Sequence, residues 1–190
     1  MTELPKQAMI PVITKMKELE QFLLTDLKIA ILQDIHISLL KDMMGMLHEY
    51  NKIGLVHIEM IKGVSNDEFG TQYLCQHMRV DGIISSKSKI IEMAKKNHVR
   101  AIQRVFLIDS KSLERGLEMI EQSHPDIVEI MPAIAYSIFS YIKKTIQIPI
   151  WAGGLVKTIA QADQILASGA SAITISNLAL CVEYNKNSRA

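Results

Sequence analysis

The sequence is poor in cysteine, in aromatic residues and in net charge. Its two cysteines, Cys75 and Cys181, have neither the spacing of a zinc site nor the number that a disulfide framework needs, so we expect reduced thiols of a cytoplasmic protein. Aromatic residues make up 5% of the chain while methionine occurs 11 times, which predicts a mostly aliphatic core. With 21 basic and 20 acidic residues the net charge is +1, which argues against binding of polyanions over the whole surface.

The sequence also lacks a recognisable membrane segment. The N-terminus has no basic stretch followed by an apolar run, as a secretory signal requires. The most apolar stretch, residues 128–142, contains Glu129 and Pro132 and falls short of the roughly 18 apolar residues of a membrane span. No linker or second-domain boundary is visible. We therefore expect a single domain over residues 1–190, with no metal, no cofactor and no contact with a membrane.

Short aliphatic runs recur along the chain at nearly constant spacing. They begin near residues 30, 55, 82, 104, 127, 148 and 172. These runs are apolar on both faces, as buried parallel strands are, and segments of helical period lie between them. Repeated strand–helix units predict a parallel sheet, which is either an open doubly wound sheet or a (β/α) barrel. No GxGxxG motif or P-loop follows the first run, which weakens the open nucleotide-binding alternative.

The expected fold is an α/β, TIM-like (β/α) barrel of seven strands with an N-terminal helix. The barrel is assigned to residues 29–180, and residues 1–28 are assigned to an N-terminal helical segment. Within that segment, MIPVITKMKELEQFL is expected to form a helix over the bottom or the side of the barrel. Because a barrel of this class has eight strands, either one unit is missing or the N-terminal segment supplies an irregular element.

Two segments near the C-terminus carry the strongest chemical signal. Gly153 and Gly154 end one predicted strand, while Ser176 and Asn177 end the next one, just before a predicted helix. Glycines let backbone N–H groups approach a ligand closely, and a helix N-terminus attracts a dianion. In (β/α) barrels the loops after the last two strands often bind phosphate. Each segment alone can be a tight turn or a helix cap, but together they favour a barrel with a small-molecule phosphate site.

Charged residues stand at the ends of other predicted strands and are expected to face the same mouth. Lys62 or Lys87 could neutralise a phosphate, and Asp109 or Glu129 could accept hydrogen bonds from hydroxyl groups, with Glu59 beside them. Each carboxylate could instead belong to an ion pair or a helix cap. Glu129 lies inside an apolar strand, so its charge needs a partner, for which Lys87 or Lys62 is expected.

The chain resembles the glycerol uptake operon antiterminator family from about residue 10 to about residue 180. The most specific segments are AIQRVFLIDSKSLERG, VEIMPAI and AGG followed by TISN. Members of that family are barrel-shaped regulators that respond to glycerol 3-phosphate and act on the leader mRNA of glycerol-utilisation genes, letting transcription pass a terminator. The resemblance implies glycerol 3-phosphate as the ligand, leader mRNA as the partner, and ligand contacts from Lys87, Asp109, Glu129, Gly153, Gly154, Ser176 and Asn177. Glu59 stands where the family usually has Asp, which makes a direct contact from it less certain.

The densest basic stretch, residues 87–104, is the candidate RNA surface. Lysine and arginine can neutralise RNA phosphates, although a basic helix C-terminus is also a common solvated surface. Since the chain has no RNP-like aromatic platform or GXXG loop, RNA binding here rests on the resemblance. The residues expected to contact RNA are Lys95, Lys96, His98, Arg100 and Arg104.

Three functions remain compatible with these residues. The first, and the one expected, is a ligand-responsive regulator without catalytic residues. The second is an enzyme acting on a phosphorylated three-carbon or sugar substrate, with Glu59, Asp109 or Glu129 as acid or base and Lys87 or Lys62 as an amine nucleophile. The third is a scaffold with a vestigial phosphate site. A homo-oligomer is an open alternative to a monomer in each case.

Overall fold

Eight short parallel strands close into a barrel. A computed structural model describes residues 4–187, with only the backbone of Asn187. Each strand pairs with the next one along the chain, and the last pairs with the first, which closes the ring. The strands are β1 (Met9–Ile13), β2 (Ile29–Leu32), β3 (Ile53–His57), β4 (Gly82–Ser85), β5 (Arg100–Phe106), β6 (Ile127–Met131), β7 (Ile150–Gly153) and β8 (Ala172–Ile175).

A helix follows each strand and returns the chain to the other end of the barrel. Two short 3-10 helices, Ile58–Met60 and Ala133–Ile138, come directly after β3 and β6. The α-helices are α1 (Met16–Leu23), α2 (Ile37–Glu49), α3 (Glu68–His77), α4 (Ser88–Lys96), α5 (Ser110–Ser123), α6 (Phe139–Thr145), α7 (Ile159–Ala167) and α8 (Leu178–Asn187).

Helix α4 shows how the sequence sets the orientation of these helices. Ile90, Ile91 and Ala94 recur at helical spacing and are buried against the strands. Lys95 and Lys96 occupy the last turn and face solvent, where cations also suit the helix dipole. The apolar stripe therefore faces the barrel and the charged side faces water.

The prediction of seven strands and an N-terminal helical segment is wrong for residues 9–13. These residues form β1, a regular strand that pairs with β2 and β8, and α1 begins only at Met16. Five residues are too few for a periodicity to separate a buried strand from a buried helix, and Pro11 argues against a strand in the sequence alone. The barrel thus starts at Met9. Residues 1–3 and 188–190 of the predicted single domain lie outside the described residues.

Polar side chains hold the closing seam between the first and last strands. Asn185, on α8, accepts a hydrogen bond from Ala8 N at 3.0 Å and donates to Met9 O at 3.0 Å. Gln7 accepts from Lys28 N at 2.7 Å and donates to Ile29 O at 2.8 Å. Both amides are buried, so these bonds fix β1 to its neighbours without exposing backbone groups.

The lower part of the barrel interior is a closed apolar floor. Trp151 is its largest side chain and is 4% exposed. The helices pack on the outside of the strands in a second and larger apolar cluster. Any ligand inside the barrel must therefore bind above this floor, toward the C-terminal ends of the strands. The floor consists of Ile10, Ile29, Ile31, Leu55, Ile84, Ile102, Ile127, Trp151 and Ala172.

The two cysteines are free thiols. Burial raises the pKa of Cys75 to about 11 and that of Cys181 to about 12, so neither thiol is ionised near neutral pH. Within residues 4–187, no cluster of three or more His, Cys, Asp or Glu side chains could hold a metal ion. The helices in the same range are too short or too polar for any of them to cross a membrane.

Candidate functional site

A layer of polar side chains lies inside the barrel above the apolar floor. Its centre is Glu129 on β6, which is 0% exposed. Arg104 Nε on β5 donates to Glu129 Oε2 at 2.7 Å, and Thr174 Oγ1 on β8 donates to Glu129 Oε1 at 2.6 Å. The buried carboxylate is therefore compensated by a charged and a neutral donor.

The expected partners of Glu129 are corrected by this arrangement. Lys87 Nζ instead donates to the side chain and main chain of Asn66, at 2.6 and 3.0 Å. Lys62 is exposed in the loop after β3, where its main chain forms a parallel bridge with His36. Both lysines lie on loops outside the barrel interior, whereas Arg104 stands next to Glu129 in the β5–β6 register.

Gly153 is required by the close packing of this layer. A Cβ atom on Gly153 would lie 2.5 Å from Thr174 Oγ1 and 3.1 Å from Glu129 Oε1. Real Cβ atoms do not approach other atoms so closely, so no larger residue fits here without displacing the polar layer. Gly153 therefore has a structural role beneath the mouth, whatever it contributes to a ligand.

A second polar pair stands on the opposite side of the layer. Glu59, in the turn after β3, accepts hydrogen bonds at Oε1 from Ser85 Oγ at 2.7 Å and from Ser86 N at 2.8 Å. Its other oxygen, Oε2, lies 3.3 Å from Nε2 of His57, the last residue of β3. His57 is 5% exposed, so this pair closes the layer on the β3 side.

The environment sets the charge of both groups. Burial and the nearby charge of Arg104 lower the pKa of His57 to about 4, against the opposing influence of Glu59, Glu129 and Asp34. Burial alone would raise the pKa of Glu59, but hydrogen bonds from Ser85 and Ser86 and the proximity of His57 outweigh it and lower that pKa. At neutral pH, Glu59 is ionised and His57 is uncharged.

The two loops predicted to bind phosphate lie side by side above Thr174 and Gly153. Gly154 has a φ of +82°, a conformation that glycine adopts readily. Asn177 caps α8 by accepting a hydrogen bond from Leu180 N at 3.1 Å, and Ser176 is exposed beside it. Within residues 4–187, the backbone N–H groups of Gly154, Ser176 and Asn177 donate no hydrogen bond to the protein. The structure brings these loops together, and their binding of a phosphate stays a prediction.

Asp109 has a structural explanation in the loop after β5. Its Oδ1 accepts a hydrogen bond from Ser112 N at 2.8 Å, and Ser112 Oγ accepts one from Asp109 N at 2.9 Å. This reciprocal pair is a capping box at the start of α5. The cap accounts for the position of Asp109 without a ligand.

The predicted RNA surface is divided by the structure. Arg104 is 7% exposed and points into the barrel, so its assignment to an RNA surface is wrong: the basic stretch runs from α4 into a buried strand. Lys96 and His98 are exposed, and Lys95 donates to His124 O and lies 3.6 Å from Asp126. With Arg100 at the start of β5, these residues lie at the end of the barrel away from the mouth.

Sequence reasoning missed His57, Thr174 and the interior position of Arg104. The signal was available in the period of two along a strand, because alternate residues face the same side. His57 follows Leu55 by two residues, and Arg104 follows Ile102 by two, so each continues an interior position. Because both faces of these strands are apolar, the sequence alone does not show which alternate residues face the barrel interior.

Comparison with known proteins agrees with this architecture. Residues 9–181 match the model of a family described as glycerol-3-phosphate responsive antiterminator. The glycerol uptake operon antiterminator regulatory protein of Listeria monocytogenes str. 4b F2365 is 35% identical, and its crystal structure superposes with a TM-score of 0.90. That match covers 94% of this chain and 98% of the other.

Two further relatives extend the comparison. A glycerol uptake operon antiterminator-related protein of Thermotoga maritima is 30% identical, with a TM-score of 0.82 over 93% of this chain and 99% of its own. The uncharacterized protein YgcP of Escherichia coli (strain K12) is 31% identical over 126 residues. That alignment covers 66% of this chain and 66% of YgcP, just under two thirds of the curated relative.

Proposed function

This chain belongs to the glycerol-3-phosphate responsive antiterminator family, and we propose that it is a cytoplasmic regulator that binds glycerol 3-phosphate in its barrel mouth. Antitermination in glycerol metabolism is the role that the family description and the names of its relatives give. The finer points of the proposal are the ligand site, the leader mRNA partner and the absence of catalysis.

The main support for the ligand site is the position of the loops after β7 and β8 over the polar layer. The unpaired N–H groups of Gly154, Ser176 and Asn177 stand at the ends of adjacent strands, next to the N-terminus of α8. Such groups bind phosphate oxygens well, and the helix dipole favours the negative charge. We place the phosphate there and the polyol end of the ligand over the layer below.

Arg104 replaces Lys62 and Lys87 as the proposed cation of the site. Its Nε is held by Glu129, whereas its Nη groups donate no hydrogen bond within residues 4–187. A guanidinium that is fixed through one nitrogen keeps further donors in a rigid geometry, which suits the oxygen atoms of a phosphate ester. Arg104 is thus oriented for a ligand before the ligand arrives.

The proposed RNA surface lies at the opposite end of the barrel. Lys96 and the neighbouring Lys95 and Arg100 supply its positive charge, and His98 is exposed beside them. Because the ligand and the RNA then bind about one strand length apart, glycerol 3-phosphate can regulate RNA binding only if it favours the RNA-competent state. By the same linkage, RNA would change the affinity for glycerol 3-phosphate by the same factor.

The residues of the mouth do not favour the alternative of a Schiff-base enzyme. Among the described residues the only buried lysine is Lys52, at the far end of the barrel, where Nζ donates to Thr25 O at 2.7 Å and Leu27 O at 2.6 Å. A lysine nucleophile needs a desolvated position beside the substrate. Both oxygens of Glu129 and Oε1 of Glu59 already accept hydrogen bonds from the protein, which leaves them less available to a substrate. Oε2 of Glu59 has no hydrogen-bond partner within residues 4–187, but it is buried beside His57.

A gel shift on the leader transcript of a glycerol-utilisation gene tests the whole proposal. We expect the protein to retain the transcript, and glycerol 3-phosphate to change the retained fraction at constant salt concentration. An unrelated transcript of equal length is the control for charge-driven binding. In parallel, glycerol 3-phosphate should raise the melting temperature and be recovered unchanged. Turnover of the ester would support the alternative of an enzyme that acts on phosphorylated substrates. Failure to bind any phosphate ester would support the alternative of a scaffold with a vestigial phosphate site.

A further inference from the structure

His57 is a buried polar side chain with one ring nitrogen, Nδ1, that forms no hydrogen bond in the polar layer. It is 5% exposed, and within residues 4–187 its Nδ1 atom has no hydrogen-bond partner. An unpaired polar atom in a protein interior is costly, so few are kept without a reason. Its other ring nitrogen, Nε2, already faces Glu59 Oε2 at 3.3 Å.

His57 faces the barrel axis in the polar layer. Leu55, two residues earlier on β3, belongs to the apolar floor, and alternate residues of a strand face the same side. Besides Glu59 and Asp34, the charges that act on His57 are those of Arg104 on β5 and Glu129 on β6, across the interior. In the closed ring β3 lies four strands from β7, so His57 stands opposite the loop that begins at Gly154.

The charge of Glu59 favours one tautomer of the imidazole. Oε2 of Glu59 lies 3.3 Å from Nε2 and has no hydrogen-bond partner within residues 4–187, so the two atoms are close without forming a hydrogen bond. Because an ionised carboxylate only accepts hydrogen bonds, its charge favours the hydrogen on this nearer nitrogen. We therefore assign the hydrogen of the neutral ring to Nε2, which leaves a lone pair on Nδ1. In that tautomer Nδ1 can only accept a hydrogen bond, and the group that pairs with it must be a donor.

We propose that His57 determines ligand specificity by accepting, at Nδ1, a hydrogen bond from a hydroxyl group of the phosphate ester in the mouth. This inference rests on the proposed function and adds the ligand class, a short polyol phosphate. The phosphate would lie on the loops after β7 and β8, and a hydroxyl would reach across to β3. A site built to pair with a hydroxyl rejects an analogue that lacks it, because its own buried group is then left unpaired.

Calorimetric titration of the wild-type protein with two esters of equal charge tests the inference. sn-Glycerol 3-phosphate carries two hydroxyl groups, n-propyl phosphate carries none, and inorganic phosphate reports on the loops alone. We expect the wild-type protein to prefer sn-glycerol 3-phosphate to n-propyl phosphate by at least about tenfold. His57→Leu should lower this ratio by about tenfold and leave the affinity for n-propyl phosphate in place.

Two further variants test the role of His57 if His57→Leu does not fold. Asparagine carries an acceptor near the position of Nδ1, whereas glutamine places one near Nε2. His57→Asn should therefore retain more of the preference for sn-glycerol 3-phosphate over n-propyl phosphate than His57→Gln does. His77→Leu, which changes an exposed histidine at the end of α3, is the matched control and should retain all of it.

The outcomes separate the two proposals. If the wild-type protein binds neither ester nor inorganic phosphate, the proposed function fails, and this inference with it. If it binds the two esters equally, or if folded His57→Leu keeps the full ratio, the role of His57 is overturned and the phosphate site stands. Equal retention of the ratio by His57→Asn and His57→Gln would likewise overturn the role of His57 alone.

Discussion

Arg104 and Glu129 are direct register partners on β5 and β6, and Arg104 Nε donates to Glu129 Oε2 at 2.7 Å. The side chains are 7% and 0% exposed, so each charge depends on the other for compensation. Thr174 adds a neutral donor on the second carboxylate oxygen. The centre of the polar layer is thus an ion pair that the protein holds in place above its apolar floor.

Removing one partner of this pair should be strongly destabilising. Arg104→Met leaves the carboxylate of Glu129 buried without its cation, which typically costs about 3–5 kcal/mol. Urea unfolding followed by circular dichroism measures this loss. The double variant Arg104→Met with Glu129→Leu should recover most of it, because no uncompensated charge is left.

Arg115→Met, on the exposed side of α5, is the control and should change the free energy of unfolding by less than about 0.5 kcal/mol. A stable Arg104→Met single variant would contradict the buried pair.

Most of the barrel is predictable from the sequence, because parallel strands buried on both faces leave a regular spacing of aliphatic runs. β1 could not be predicted as a strand, because five residues that include Pro11 do not distinguish a strand from the start of a helix. What closes the ring is the pairing of β1 with β8, a contact between the two ends of the chain that no local pattern encodes.

The candidate site was predictable in part and for a similar reason. The loops after β7 and β8 could be predicted to lie side by side because glycine, serine and asparagine at strand ends are local signals, while their binding of a phosphate stays a prediction. The partner of Glu129 was missed because an ion pair between neighbouring strands depends on register, and Arg104 was assigned with the surface lysines before it. His57 was missed because a single histidine in an apolar strand has no motif of its own.

Gly153→Ala should destabilise the fold by overpacking the polar layer. The new methyl group would lie 2.5 Å from Thr174 Oγ1, and overpacking of this kind costs about 1–3 kcal/mol. Adding Thr174→Ala should reduce the penalty, because it removes the atom that clashes, so the two changes should not be additive.

Gly45→Ala is the matched control. A Cβ atom at this position of α2 has open space, so the change should stabilise the helix by about 0.5–1 kcal/mol. Equal behaviour of the two alanine variants in urea unfolding would rule out the clash.

The lowered pKa of His57 predicts a loss of stability in mild acid. Its pKa is about 4 in the folded protein against an ordinary value of 6.5, so between these pH values the unfolded chain binds the extra proton. Stability attributable to His57 is therefore complete above about pH 6.5 and declines as the pH falls toward 4, by on the order of 3 kcal/mol. Glu59 has a lowered pKa, and its own contribution is lost only at a lower pH.

Urea unfolding of the wild-type protein and of His57→Gln across this pH range checks the prediction. The variant has no group at position 57 that titrates there, so its stability should fall less steeply than that of the wild-type protein between pH 6.5 and 4. Parallel curves for the two proteins would show that His57 does not titrate with the lowered pKa. The slope of the difference gives the number of protons that His57 takes up on unfolding.

Lys96→Glu should weaken binding of the leader transcript and leave binding of glycerol 3-phosphate unchanged. Lys96 is exposed at the end of α4, whereas Lys95 is held by His124 O and Asp126, so reversing the charge of Lys95 would also disturb the fold. Loss of one phosphate contact should reduce the slope of log affinity against log salt by about 0.7–0.9. Gel shifts at several salt concentrations measure the slope, with Lys41→Glu on the exposed side of α2 as the control. If the two variants retain the transcript equally, the RNA surface lies elsewhere on the barrel.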